Sequence, residues 1–164
     1  MNALVVYYSL SGTTRKVAEA VAKDLGADIE KIRCARYSSG FLGFLRAGYD
    51  SWKGKLPPIK PLSKPLSRYG LVVIGGPIWA FHPATPLRSF LRNEAPKLGE
   101  VAFILIHGGS AAEQSLREME QLAGRMPKAT LVVREVDVRN GKFVSAVSSF
   151  VSSLRADEGH RAAS

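Results

Sequence analysis

The 164-residue sequence predicts a doubly wound α/β domain: one five-stranded parallel sheet in the order 2-1-3-4-5, with helices on both faces. Three observations carry that prediction. Three short apolar runs, Ala3 to Tyr8, Leu71 to Ile74 and Val101 to Ile106, show no polar alternation, as strands covered on both faces must. Each run ends in small or turn-forming residues, namely Ser9, Gly75-Gly76-Pro77 and His107-Gly108-Gly109. Segments of helical period lie between strands, so strand and helix alternate five times, the pattern of crossovers that join parallel strands. Two mixed stretches, Ala27 to Arg33 and Ala129 to Val138, have the polarity of sheet edges, and placing them outside the three apolar strands gives the stated order.

The elements follow in chain order. The first strand leads through Ser9-Leu-Ser-Gly-Thr-Thr14 into a helix whose Val17, Ala18, Val21, Ala22 and Leu25 share a face and which stops at Gly26. A second helix, Phe41 to Trp52, carries aromatics at helical spacing and is expected to pack them against the sheet. The proline-rich stretch Leu56 to Leu66 reads as a surface connection, too short for a domain linker. A third helix is entered at Thr85-Pro86 and carries Leu87, Phe90 and Leu91. Ser110 and Glu113 form a capping box before the fourth, which aligns Leu116, Met119, Leu122, Ala123 and Met126 ahead of Pro127. The last helix has the stripe Phe143, Val144, Val147, Phe150, Val151 and Leu154. The expected organisation is one domain over residues 1–155 and a frayed polar tail over 156–164.

An apolar content of 46% with 9% aromatics supports a core and excludes disorder. The apolar runs fall far short of the roughly 20 residues of a transmembrane segment, and the N-terminus lacks a basic leader, so a cytoplasmic protein without a transmembrane segment is expected. One cysteine forms no internal disulfide, and three scattered histidines offer no metal-ligand spacing. Cys34 reads as an inert, half-buried thiol. The net charge of +9 favours polyanions, but the basic residues read as scattered and no nucleic-acid motif accompanies them, so no nucleic-acid partner is expected. The dinucleotide fingerprint, the Walker A motif, Cys-x₅-Arg and G-x-S-x-G are all missing.

What remains is the hydroxyl-rich turn after the first strand. A strand, a small turn and a helix N-terminus present free N–H groups and a positive dipole end, which suits phosphate. Arg15 and Lys16 in the first helical turn are electrostatically misplaced unless an anion lies nearby. The alternative is an ordinary N-cap at Thr13 or Thr14. Trp79, between glycine-rich and proline-rich flanks, reads as a loop residue outside the core, whereas Phe81 is open among stacking, lid and core roles. His82 precedes Pro83 and reads as structural or solvent-facing rather than catalytic, while His107 ends a central strand, where ligands meet such sheets.

Val5-Val6-Tyr7-x-Ser9-x-x-Gly12-x-Thr14-x-x-x-Ala18-x-x-Val21 resembles the signature of the flavodoxin family at every constrained position, a coincidence on the order of once in ten million starts. The flavodoxin-like resemblance covers about 150 residues by strand-helix order. It implies noncovalent FMN, its phosphate held by Ser9, Ser11, Gly12, Thr13 and Thr14. Gly75 to His82 resembles the loop against the isoalloxazine ring, which implies contacts from Pro77, Ile78, Trp79, Ala80 and Phe81, with Trp79 stacking. His107, Gly108 and Gly109 resemble the second ring-flanking loop. The implied function is that of an FMN redox protein, either an NAD(P)H-dependent oxidoreductase reducing a quinone or flavin, or an electron carrier; a binding module without redox turnover is the other reading. One-electron carriers of the family are usually acidic, so +9 points instead to an acidic redox partner protein or to NAD(P)H. His107, Arg46 and Lys53 are the cations expected near the ring.

Overall fold

The computed structural model describes residues 2–38 and 40–162, with side chains through residue 157, so the end of the expected tail lies outside the described residues. The strands are β1 (Ala3–Tyr7), β2 (Asp28–Lys31), β3 (Leu71–Trp79), β4 (His82–Pro83), β5 (Glu100–His107) and β6 (Thr130–Arg134). The helices are α1 (Thr13–Leu25), α2 (Phe41–Trp52), α3 (Thr85–Glu94), α4 (Ala112–Ala123), α5 (Glu135–Arg139) and α6 (Val144–Ala162). The main sheet runs β2-β1-β3-β5-β6, all parallel, while the two-residue β4 folds back antiparallel on β3. With β4 set aside, this is the predicted 2-1-3-4-5 order.

Alternate residues of each central strand serve two cores. Leu4, Val6, Val72, Ile74, Phe103 and Leu105 pack with Leu87, Phe90 and Leu91 of α3 and Met119 and Ala123 of α4. Val5, Val73, Ile104 and Ile106 pack with Val17 and Val21 of α1 and Val147, Phe150, Val151 and Leu154 of α6. Burial of each large side chain contributes roughly 1.5 to 3 kcal/mol, so the sheet is held from both sides.

Several expectations are corrected. β3 continues through Gly75 and Gly76 to Trp79. Those glycines meet a packing need, since a Cβ on Gly76 would lie 2.8 Å from Leu87 Cδ2 and one on Gly75 3.2 Å from Ile104 Cβ. β6 ends at Arg134, and the alternating Glu135 to Val138 forms α5, with Glu135 and Asp137 at the helix's positive end and Glu135 paired to Arg139 at 2.6 Å. The capping box before α4 is not made: Ala111 is the cap, and Glu113 pairs with Arg117 at 2.7 Å instead. Met126 and Val144 are exposed rather than core, and α6 extends to Ala162.

The largest correction is α2. Its Gly43, Ala47, Asp50 and Ser51 face inward, and its large apolar side chains face solvent. The close approach is steric, because a Cβ on Gly43 would lie 1.9 Å from the Ser38 carbonyl oxygen. Gly43→Ala is therefore expected to destabilise the protein by about 2 kcal/mol through overpacking, measured as the shift of the urea midpoint. Polar anchors fix the same face: Asp50 accepts from Arg36 and, at 3.0 Å, from the Tyr37 hydroxyl, and Ser51 Oγ donates to the Trp79 carbonyl at 2.6 Å.

Candidate functional site

At the carboxyl ends of β1, β3 and β5 the sheet opens into a cleft of about 360 Å³, where ligands meet doubly wound sheets. The turn after β1 forms its floor. Gly12 caps α1 with φ of +93°, a left-handed conformation that glycine adopts without steric penalty. Its N–H donates to Ser9 Oγ at 3.1 Å, and Ser11 Oγ lies 3.2 Å from Thr13 Oγ1. Thr13 and Thr14 lie inside the first helical turn, with no side-chain cap bond, so the ordinary N-cap reading fails. Thr14 is almost wholly buried, yet its Oγ1 has no hydrogen-bond partner among the described residues. A buried hydroxyl left without a partner costs about 1 to 3 kcal/mol, and one at a helix N-terminus is placed to donate to an anion. These residues fit a phosphate.

Of the residues singled out in the sequence, Ser11, Thr13, Thr14, Pro77, Ile78, Trp79 and Gly108 line this cleft. Ser9 and Gly12 line an adjoining recess with Arg15 and Lys31. His107 is half-buried at the end of β5, its Nδ1 shielded and without a partner among the described residues, with Gly108 and Gly109 exposed beyond it. Sequence reasoning missed Phe44, Glu135 and Arg139, which also line the cleft. The Glu135–Arg139 spacing of four residues was the available signal, obscured by the alternation of Val136 and Val138. Arg46 and Lys53 do not line the cleft, and Lys53 Nζ sits 4.4 Å over the Trp52 ring.

Trp79 requires a correction. It belongs to β3 and to the core, its ring making edge contacts with Tyr8 at 5.5 Å and Tyr37 at 5.1 Å. Phe81 is the exposed aromatic of that segment. Ala80 and Phe81 turn the β3–β4 hairpin with φ of +45° and +71°, and Ala111 before α4 has +66°. These are all the non-glycine residues with positive φ among the described residues, and all three stand in the loops that follow β3 and β5. Each costs roughly 1 to 2 kcal/mol, and such strain gathers at functional sites. The hairpin is tied to α4, since Ser115 Oγ donates to the Phe81 carbonyl at 3.4 Å and His82 Nδ1 meets Glu118 at 2.7 Å, which makes His82 structural as expected.

The ionisable groups displaced from their ordinary ranges include a carboxyl and a thiol. The Arg36 guanidinium, with the Tyr37 hydroxyl and Lys55, holds the buried Asp50 carboxyl far below the usual carboxylate range. Burial pushes the half-buried Cys34 thiol up, which keeps it protonated and unreactive.

Solved structures of similar fold include a flavoprotein from Lactobacillus acidophilus NCFM in complex with FMN, with a TM-score of 0.68 and 24% identity, covering 85% of this chain and 97% of that one. The apo-form of the flavoprotein from Lactobacillus acidophilus NCFM is similar at a TM-score of 0.63 and 26% identity, covering 83% of this chain and 95% of that one. A flavodoxin, WrbA-like protein from Agrobacterium tumefaciens reaches a TM-score of 0.63 at 17% identity, covering 97% of this chain and 98% of that one. A search of curated proteins returns no match. The flavodoxin family model matches residues 2–146, spanning both the turn that holds Thr14 and the loops after β3 and β5, and the chain belongs to the flavodoxin family.

Proposed function

We propose that the protein binds FMN noncovalently in the cleft between the β1, β3 and β5 loops and works as an NAD(P)H-dependent oxidoreductase on small oxidants such as quinones. The observation that carries the reading is the partnerless Thr14 hydroxyl beside the bare N-terminus of α1, a phosphate cradle that opens onto an aromatic-lined cleft. FMN, when bound, supplies the redox chemistry, and this chain supplies position, electrostatics and access. Thr14 and Ser11 would hold the phosphate through their hydroxyls, and Gly12 would let the backbone approach it. Pro77, Ile78, Trp79 and Gly108 line the space that would take the ring, and Ala80 and Phe81 turn the strained hairpin that follows Trp79. Arg139 gives the cleft a cation beside Glu135, and the chain's +9 charge suits an anionic nucleotide substrate better than the basic partners of acidic carriers.

The test is reconstitution with FMN followed by anaerobic addition of NADH or NADPH. Bleaching of the flavin absorbance is expected with at least one of them. A protein that retains FMN but reacts with neither is an electron carrier, and one that retains no FMN removes the reading entirely.

The hairpin allows a sharper check. Glycine adopts the φ of Phe81 without strain, so Phe81→Gly is expected to stabilise the apoprotein by about 1 kcal/mol. It is also expected to weaken FMN binding about tenfold by removing the ring contact. Urea midpoints and FMN titrations measure the two effects. If both fall together, or binding is unchanged, Phe81 is a turn residue only.

A further inference from the structure

We infer that the exposed face of α2 is a docking surface for an anionic lipid bilayer. Phe41, Leu42, Phe44, Leu45, Tyr49 and Trp52 are each between 51% and 79% exposed on one twelve-residue helix. Six side chains of that size, so exposed, amount to roughly 700 Å² of apolar surface, above the 300 to 600 Å² usual for the largest patch of a monomer.

The orientation is enforced. Rotating α2 to bury these residues would pull Asp50 from Arg36, Tyr37 and Lys55, break the Ser51 bond to Trp79, and lift Gly43 off the Ser38 carbonyl. A buried carboxylate cannot be given up cheaply, so the helix spends its small and polar residues on the fold and its large apolar ones on solvent.

Charge selects the occupant. Residues 31–64, the stretch of sequence that contains α2, hold eight Lys and Arg against Asp50 alone, a net of +7 out of the chain's +9. Arg36 and Lys55 are matched to Asp50 and Lys64 to Asp28; Arg46 on α2 and Lys53 just after it, 4.4 Å over the Trp52 ring, are exposed beside the apolar side chains, and Lys31, Arg33 and Lys60 are exposed at the β2 side. A second copy of this chain would bring two such fields together and is disfavoured. Aromatic and leucine side chains among lysines and arginines match the boundary of an anionic membrane, where the rings and chains enter the acyl margin and the cations meet headgroups.

Two further observations agree. A cavity of about 440 Å³ beside the β2 end brings together Lys31, Arg33, Lys60 and the buried Tyr8, whose hydroxyl makes no hydrogen bond among the described residues, and it has the chemistry for a headgroup phosphate. No helix among the described residues is long and apolar enough to cross a membrane, so α2 is not itself a spanning segment. Because Phe44 also lines the cleft, docking would set the cleft mouth at the bilayer surface, within reach of apolar oxidants dissolved there.

The experiment is vesicle co-sedimentation, run on apoprotein and FMN-loaded protein alike, so that its outcome is independent of the flavin reading. Phosphatidylcholine vesicles with and without phosphatidylglycerol are compared at low and high salt. Binding is expected only with phosphatidylglycerol and is expected to fall at least about tenfold at high salt. The fluorescence of Trp52 should shift to the blue on binding, since the other tryptophan, Trp79, is already buried. The double variant Leu42→Ser, Leu45→Ser, at two exposed positions that do not line the cleft, is expected to keep its urea midpoint while losing at least about tenfold in vesicle affinity. Arg46→Glu with Lys53→Glu is expected to do the same. No binding to phosphatidylglycerol vesicles, equal binding to neutral vesicles, indifference to Leu42 and Leu45, or a dimer in sedimentation that the Leu42→Ser, Leu45→Ser variant splits would each overturn the proposal.

Discussion

Asp50→Asn is expected to destabilise the protein by about 3 kcal/mol, the low end of what breaking a buried ion pair costs, because Arg36 and Lys55 can both reach water once released. The asparagine oxygen still accepts from Tyr37, which bonds in turn to Thr85 Oγ1 at 2.7 Å, so the loss comes from charge and not from shape. Urea unfolding near neutral pH measures it, and a loss under 1 kcal/mol would show that α2 is held by packing alone. The pH dependence gives a second reading. The folded-state pKa of Asp50 is depressed, so its contribution is complete above the ordinary carboxylate pKa near 4 and is lost as pH falls below that value. Wild-type stability should therefore decline more steeply below about pH 4 than that of the Asp50→Asn variant, with the two converging in acid.

The second large effect is Gly12→Val. No atom lies within 4 Å of a Cβ at Gly12, so the substitution clashes with nothing in the fold; its φ of +93° is what a β-branched residue cannot adopt. Straightening the turn misaims the first amides of α1 and drives methyl groups into the cradle. Loss of two charge-assisted hydrogen bonds to a phosphate corresponds to at least about a hundredfold in FMN affinity, whereas the strain costs the apoprotein only about 1 to 3 kcal/mol. Titration with FMN by fluorescence quenching checks the first and urea unfolding the second. Unchanged affinity in a folded variant would mean that the turn is only a helix cap.

What was legible in the sequence follows from what each segment has to do. β1 and β5 are covered on both faces, so their apolar runs have one reading, and Val17, Ala18, Val21 and Ala22 of α1 repeat with the helix because that helix has one buried face. The turn from β1 into α1 was legible because small hydroxyl residues around a glycine mark a strand-to-helix turn. The end of β3 was not, since Gly75 and Gly76 look like punctuation, and the need they meet, contact with Ile104 and Leu87, comes from residues far along the chain. α2 misled for a similar reason. Its aromatic stripe has the period of a core face, and only the partners of Asp50 and Ser51, none of them visible in local pattern, decide which side points inward. Trp79 was misplaced with it, because the ring's neighbours Tyr8 and Tyr37 arrive from two other segments. α5 and its Arg139 were hidden by two valines that alternate over a stretch too short to distinguish strand from helix.

The register of the sheet also has a kinetic side. β1 lies between β2 and β3, and its register runs from Ala3 opposite Leu71 to Tyr7 opposite Gly75, so β1 cannot complete its ladder until β3 has been made through Gly75. β3 then waits for β5, and β5 for β6, each across a helical crossover. During synthesis the β2-β1-β3 unit is the first three-stranded unit that can assemble, and it does so with one apolar edge and part of two apolar faces still uncovered. Topologies dominated by such distant pairings fold in milliseconds to seconds rather than microseconds. Refolding yield from urea should accordingly fall as protein concentration rises, through association at the β3 edge that β5 normally occupies.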